Sequence, residues 1–418
     1  MNEFDFDDDN IKRTIDGNYF DRNKYICDLI KYVLNAENQE SFALNGEWGS
    51  GKTVFLHQFM YMAKNADLAS KWGIKDYSSD ALEVYYYNAW ENELMNRPSI
   101  ALLNSISREY KIIDEEVKAD GKELFEKALD IAIKIGSAGV LSKNDFVRSS
   151  DELNIKKIQE TFHSIIDYIL EKKKKCRRIT IIIDELDRCK PTNVIRLLEE
   201  IKHFYNHDAL TFIISADLKQ LGNTIRKMYG EDFDAELYMQ RFFDATFSLN
   251  SSSYEKYINE ELSYNISKTC MVNEISKIAI SFCQLSIRET NKYIKKMKVI
   301  GNEIGRLDSF DKERSIAKCV FVPWGIALKI RDITKYEKFM SGSLPKTDIE
   351  KFIGYSPKIS SKLTDYYCDI NNNSTEVDII SIIYKIYIGI FRTKNFKYFQ
   401  EDDDISYLRN DVVPYIEF

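Results

Sequence analysis

A chain of 418 residues that is 44% hydrophobic and 13% aromatic, with only 6 Pro and 16 Gly, can bury two or three cores and is too apolar for disorder. Its 59 Lys and Arg face 66 Asp and Glu, a net charge of -7, which excludes a general nucleic-acid coat but not a local phosphate-binding patch. The 7 cysteines are scattered without a CxxC pair, which reads as reduced thiols rather than a disulfide frame or a zinc site. The acidic start Met1–Asp9 lacks the basic and then apolar order of a signal peptide. The near-apolar stretch 128–141 is too short for a membrane span and carries Asp130 and Lys134. The expectation is a soluble, cytoplasmic protein with no membrane span.

In chain order, an acidic lead-in to about residue 20 precedes a helix over 21–34, with Tyr25, Leu29, Tyr32 and Val33 on one side. Ser41–Leu44 reads as a buried strand entering a glycine-rich turn, and Val54–Met62, apolar all round, as a helix buried against a sheet. Leu82–Tyr87 is the second strand. Residues 91–176 carry no strand signal and read as a helical insertion broken at Gly136–Gly139. Strands follow at Ile179–Ile183, Leu210–Ser215 and Phe242–Leu249. Alternating strand and helix over 1–250 predicts an α/β fold: a three-layer αβα unit on a mostly parallel five-stranded sheet. From Ser251 onward the pattern turns helical, giving a helical lid over 251–303 and a C-terminal helical region over 304–418. Its segments are Tyr254–Leu262, Glu274–Leu285, Ile287–Val299, Lys318–Ile330 and, after an Asn-rich loop at 371–374, a last helix at Val377–Phe391.

Gly46, Glu47, Trp48, Gly49, Ser50, Gly51, Lys52 and Thr53 fit G-x-x-x-x-G-K-[ST] between a strand and a helix, the context a phosphate loop requires. Glycines let successive N–H groups turn inward, and the helix behind presents its positive end to the same anion. Lys52 then supplies a cation to the β and γ oxygens of a nucleotide, and Thr53 a hydroxyl to Mg2+. The β-branched run at Ile179–Ile183 ends in Asp184 and Glu185, at the strand edge where ligands of parallel sheets bind. Asp184 suits the Mg2+ shell, and Glu185 suits orienting or deprotonating the attacking water. The alternative is two acids that cap the following helix.

Together with Tyr87-Asn88-Ala89-Trp90 and the segment Ile183–Pro191, these residues resemble the KAP family of P-loop NTPases, a branch of the AAA+-like and STAND-like ATPases. Further landmarks are Asp217 after the fourth strand, Tyr238–Asp244, Ser286–Lys292 and Ile326–Arg331, so the resemblance covers about 40–335. It implies ATP and Mg2+ as cofactors, Asp217 among the nucleotide-binding residues, and a homo-oligomer that forms with nucleotide. It also implies a partner effector protein and a role in bacterial anti-phage defence. The chain departs from the family in lacking a membrane-spanning insertion and in ending the acidic strand with Asp-Glu rather than Asp-Asp.

By the same resemblance Arg288, at the start of a lid helix, reaches the γ-phosphate; the alternative is a surface arginine paired with a neighbouring acid. Arg188 and Arg241 are candidate arginine fingers, in cis or in trans, and sequence prefers neither. The run Lys172–Arg178, six cations in seven positions, reads as a solvated loop opposite the nucleotide edge rather than a polyanion contact. Lys292, Lys295, Lys296 and Lys298 leave nucleic acid open as a partner. Trp48 is expected to pack the phosphate loop on the lid or the N-terminal helix, and Trp90 to lie in the core. His203 and His207 have i, i+4 spacing but no third ligand. The leading function is an ATPase that couples nucleotide state to conformational change or assembly. The alternatives are a slow-hydrolysing, nucleotide-gated scaffold and an ATP-dependent nucleic-acid-binding protein.

Overall fold

A computed structural model describes residues 6–93, 98–110, 148–249, 254–263, 271–304, 311–368, 378–392 and 407–417. The Gly136 break, the 128–141 stretch and the Asn-rich loop lie outside them. The chain divides into two compact units, Asp5–Ser252 and Ser253–Phe418.

The first unit begins with α1 (Asp8–Asp16) and α2 (Asn23–Asn35). Asp8–Asp16 of the acidic lead-in, left without an assigned element in the sequence, is thus a helix. Asp7 caps it by accepting the Asn10 N–H, and Asp8 and Asp9 sit in its first turn, where carboxylates complement the helix dipole. Then come β1 (Glu40–Asn45), α3 (Lys52–Lys64), α4 (Ala66–Lys71), β2 (Leu82–Asn88), α5 (Pro98–Glu109), α6 (Arg148–Lys172), β3 (Arg178–Asp184) and α7 (Pro191–Phe204). β4 (Leu210–Ala216), α8 (Leu218–Tyr229), α9 (Ala235–Met239) and β5 (Ala245–Ser248) complete the unit. The strands form one sheet in the order β2-β3-β4-β1-β5, and every pairing is parallel. β3 and β4 are buried at every position, as a central parallel strand demands, whereas edge strand β5 alternates. The last strand is shorter than expected: Phe242 is buried but belongs to the turn after α9, its N–H on the Met239 carbonyl.

Topology fixes where the chemistry falls. From β1 the chain crosses to β2, from β4 it crosses back over β1 to β5, so the neighbours β1 and β4 part in opposite directions. Such a switch point leaves a crevice at the carboxyl ends of the strands. Register brings Asn88 opposite Asp184 and Asn45 opposite Ala216, aligning the ends of β2, β3, β4 and β1 on one edge. α3 anchors the phosphate loop behind that edge by burying Val54, Phe55, Leu56, Phe59 and Met62, each worth about 1.5–3 kcal/mol.

The basic run before β3 is only partly a solvated loop. Lys173 pairs with Glu83 and Lys175 with Asp80. Arg178, however, is buried and donates to the carbonyls of Ala36, Asn38, Asp208 and Leu210. Its fork satisfies chain ends that converge beneath the sheet, so it serves the fold.

In the second unit the described elements are all helices: α10 (Glu255–Ser263), α11 (Met271–Phe282), α12 (Ile287–Ile304), α13 (Lys312–Arg331), α14 (Ile333–Met340), α15 (Lys346–Gly354), α16 (Pro357–Cys368), α17 (Ile379–Phe391) and α18 (Leu408–Glu417). α13 is the central one, buried from Ser315 to Leu328 except at Lys318. Gly325 lets α18 come close: a Cβ there would meet Ile416 at 2.8 Å. The expected last helix is therefore not the last. Leu408, Val412, Val413 and Ile416 lie at helical spacing and bury against α13, with Pro414 obscuring the pattern in sequence. On α12 Lys298 pairs with Glu261 at 2.8 Å, and burial with the nearby Lys329 charge lowers the Lys296 pKa. No described helix is long and apolar enough to cross a membrane.

Candidate nucleotide site

The loop between β1 and α3 has the backbone its glycines predict. Gly49 and Gly51 take φ of 82° and 84°, a left-handed region in which a side chain is strained. A Cβ on Gly46 would stand 2.6 Å from Ser50 Oγ, so the loop's first glycine leaves space for that hydroxyl. Ser50 Oγ is buried without a partner among the described residues. Lys52 folds back over the loop: its Nζ donates to the Gly46 carbonyl at 2.6 Å and the Glu47 carbonyl at 3.3 Å, and lies 3.9 Å from Asp187 Oδ2. Burial lowers the Lys52 pKa, opposed by the carboxylates of Asp187, Asp217 and Asp184. An orphaned hydroxyl, a glycine cradle and a partly desolvated ammonium are together what a polyphosphate would satisfy.

Thr53 and Asp184, 131 residues apart, meet at this loop. Thr53 Oγ1 donates to Asp184 Oδ2 at 2.8 Å, and Asp184 is 1% exposed. A hydroxyl beside an ionisable carboxylate is an all-oxygen donor pair, the chemistry that suits Mg2+. Asp184 Oδ1 accepts the Glu185 N–H at 2.9 Å. Glu185 itself has φ of 60°, a conformation a non-glycine residue holds only where its surroundings enforce it. Its Oε1 pairs with Arg188 at 2.7 Å and its Oε2 accepts from Asn88 Nδ2 at 3.3 Å. The Asn88 amide cannot be reversed at no cost, because its Oδ1 already accepts the Trp90 and Glu91 N–H groups.

Several side chains depart from expectation. Trp48 is 58% exposed, and its indole N–H donates to Asp187 Oδ2 at 2.8 Å, so within its unit it is fastened to the turn after β3 rather than to the N-terminal helix. Trp90 is not core: it is 50% exposed, with the Arg188 guanidinium 5.5 Å from its ring centre. Asp217 caps α8, its Oδ1 accepting the N–H groups of Lys219 and Gln220, while its own N–H donates to Asp187. Arg241 is exposed in the turn before β5. Arg288 is exposed near the start of α12, in the other unit. His207 faces Asp167 at 3.1 Å.

Three residues at the site had no assigned role in the sequence reading. Asp187 accepts from Trp48 and from the Asp217 backbone while sitting near Lys52, so one buried carboxylate ties the loop to the ends of β3 and β4. Arg22, buried before α2, donates to the carbonyls of Ser50 at 3.0 Å and Gly51 at 3.3 Å. When the loop's N–H groups turn inward its carbonyls turn out, and this guanidinium satisfies two of them from behind. Tyr86 on β2 donates from its hydroxyl to Asp184 Oδ2 at 3.0 Å; burial and the Asp184 charge raise its pKa. None of the three could be found from local spacing, since each acts across 28 residues or more on at least one partner.

The KAP family P-loop domain matches residues 22–310. The chain belongs to the KAP family of P-loop NTPases. The matched segment begins at Arg22 and includes the whole sheet, so the loop, Asp184 and the residues around them lie within the KAP P-loop domain. No curated protein matches the chain. Among solved structures the chain is similar to the Aeropyrum pernix ORC2 protein in its ADPNP-ADP complexes, at 13% identity and a TM-score of 0.39, with 95% of this chain and 93% of that one covered.

Proposed function

We propose that this KAP NTPase binds ATP with Mg2+ in the cytoplasm, hydrolyses it, and couples the nucleotide state to a change of conformation or assembly. The observation that carries the proposal is the Thr53 hydroxyl on the buried Asp184 carboxylate at 2.8 Å, set at the mouth of a phosphate loop whose lysine is already turned inward. Gly46 to Thr53 hold the phosphates through their backbone N–H groups and the Lys52 ammonium, with Asp217 completing the edge. Thr53 and Asp184 hold the cation, which when bound neutralises charge on the phosphoryl oxygens. Glu185 orients and deprotonates the attacking water. Arg188, Arg241 and Arg288 are the cationic groups proposed to neutralise transition-state charge, and Arg188 has first to leave Glu185.

The test is phosphate release from ATP. Wild type is expected to turn over only with Mg2+, stopping on chelation, and Lys52→Ala is expected to lose turnover. Undiminished release by Lys52→Ala, or release that survives chelation, refutes the proposal.

A second reading is a slow switch. Its support is that both Glu185 carboxylate oxygens are engaged, by Arg188 and by Asn88. A turnover far below one per minute with tight ATP binding would select it.

The resemblance adds self-association with nucleotide and an effector partner. Trp48 and Trp90, two of the four tryptophans, stand exposed at the nucleotide edge, apolar area that a second copy would cover. Light scattering on Glu185→Gln is expected to show a larger species with ATP-Mg2+ than without nucleotide; an unchanged monomer refutes it. The anti-phage role rests on the resemblance alone, and unchanged plaque counts after deletion of the gene across a broad phage panel would remove it.

A further inference from the structure

Resting on the reading of Thr53 and Asp184 as cation holders, we propose that Tyr86 is a positioning residue for Mg2+, fixing the Asp184 carboxylate through its phenol hydroxyl. The geometry has three parts. On the sheet, Tyr86 pairs with Ile182 and Asn88 with Asp184, so Tyr86 lies one period-2 step before the acidic strand end and on the same face. From there its hydroxyl reaches Asp184 Oδ2 at 3.0 Å, the same oxygen that accepts from Thr53 at 2.8 Å. On α3, Thr53 and His57 are four residues apart and therefore share a helix face. Thr53 takes the carboxylate, and the His57 ring lies 5.2 Å from the Tyr86 ring, with Phe6 stacked against His57 at 4.3 Å. The phenol is thus wedged between the strand that carries it and the helix that carries the loop.

Asp184 is nearly out of water and has three donors among the described residues: Glu185 N–H on Oδ1, Thr53 and Tyr86 on Oδ2. Thr53 is the donor whose oxygen must also serve the cation. Tyr86 is the one whose only task in this cluster is to hold Oδ2. Residues of this kind, hydrogen-bonded to a metal-holding carboxylate, orient it before the ion arrives, and losing one typically costs about 10–100-fold in metal affinity.

The test uses the full chain, a fluorescent ATP analogue and a titration of free Mg2+, which reads binding rather than turnover. Tyr86→Phe keeps the ring and its packing against His57 and removes only the hydroxyl. Binding of the analogue in EDTA is expected to match wild type within about twofold, because the loop and Lys52 are untouched. The free Mg2+ that gives half of the metal-dependent increase in binding is expected to rise about tenfold or more. His57→Leu, which keeps the Tyr86 hydroxyl but removes its ring support, is expected to shift the same midpoint in the same direction by less. A Tyr86→Phe curve that superimposes on a Mg2+-dependent wild type overturns this proposal and leaves the cation site standing. An equal loss of binding with and without Mg2+ overturns it in favour of a general packing role. A wild-type curve flat in Mg2+ overturns both the cation site and this proposal.

Discussion

Glu185→Gln is expected to lower kcat for ATP by about 10²–10⁴-fold while leaving nucleotide affinity within a few-fold of wild type. The substitution keeps the shape of the side chain and removes the one thing a general base needs, a carboxylate able to take a proton. The phosphate loop does not depend on it: Lys52 is held by the carbonyls of Gly46 and Glu47, and Thr53 by Asp184. The change also removes the charge that binds Arg188, so a glutamine there frees the guanidinium from an ion pair of 2.7 Å. Phosphate release at saturating ATP measures the first effect and titration with a fluorescent nucleotide the second. Should kcat stay at the wild-type value, Glu185 is not the base and a water ordered by other groups carries hydrolysis. Should affinity collapse along with kcat, the residue acts on the loop itself, which its hydrogen bonds do not suggest.

In the helical unit the largest effect belongs to Trp324. Its side chain is fully buried, stacked on Phe352 at 4.2 Å with an interplanar angle of 2° and set edge-on to Phe339 at 5.4 Å. Trp324→Ala removes the indole from the middle of α13 and leaves a cavity, a change that typically costs about 3–5 kcal/mol. That is a large share of the ~5–15 kcal/mol by which a domain is stable. Trp324→Phe is expected to cost far less. It keeps most of the volume, and the lost indole N–H has no hydrogen-bond partner among the described residues. Calorimetry is the appropriate measurement, since a chain of two units need not melt in one transition. If the alanine variant melts as wild type does, the aromatic cluster around α13 does not hold this unit together.

The sequence by itself determined the parts of the site that are written locally. Eight consecutive residues from Gly46 to Thr53 make the loop, because glycine backbone freedom, a lysine and a hydroxyl at fixed spacing are properties of a short segment. The β-branched run ending at Asp184 marks a buried strand with its acidic end at the ligand edge, because burial on both faces selects such residues. The alternation of strand and helix over the first 250 residues was legible for the same reason, since periodicity is set by the geometry of each element alone.

What only the tertiary structure decided is which distant groups those parts lean on. Tyr86 reads in sequence as one more strand aromatic; it becomes a partner of Asp184 because β2 pairs with β3 in one register. Asp187 and Arg22 carry no local pattern that assigns them a role. Arg22 is buried because the loop turns its N–H groups inward and its carbonyls must find partners, and Asp187 is engaged because the ends of β3 and β4 meet beside the loop. Trp90 and Arg178 go the other way from their apolarity and charge: the tryptophan stands on the rim, the arginine beneath the sheet. A side chain's type fixes its cost of burial, but whether it is buried depends on which strand ends and carbonyls converge on it, and that convergence exists only once the sheet has closed its order.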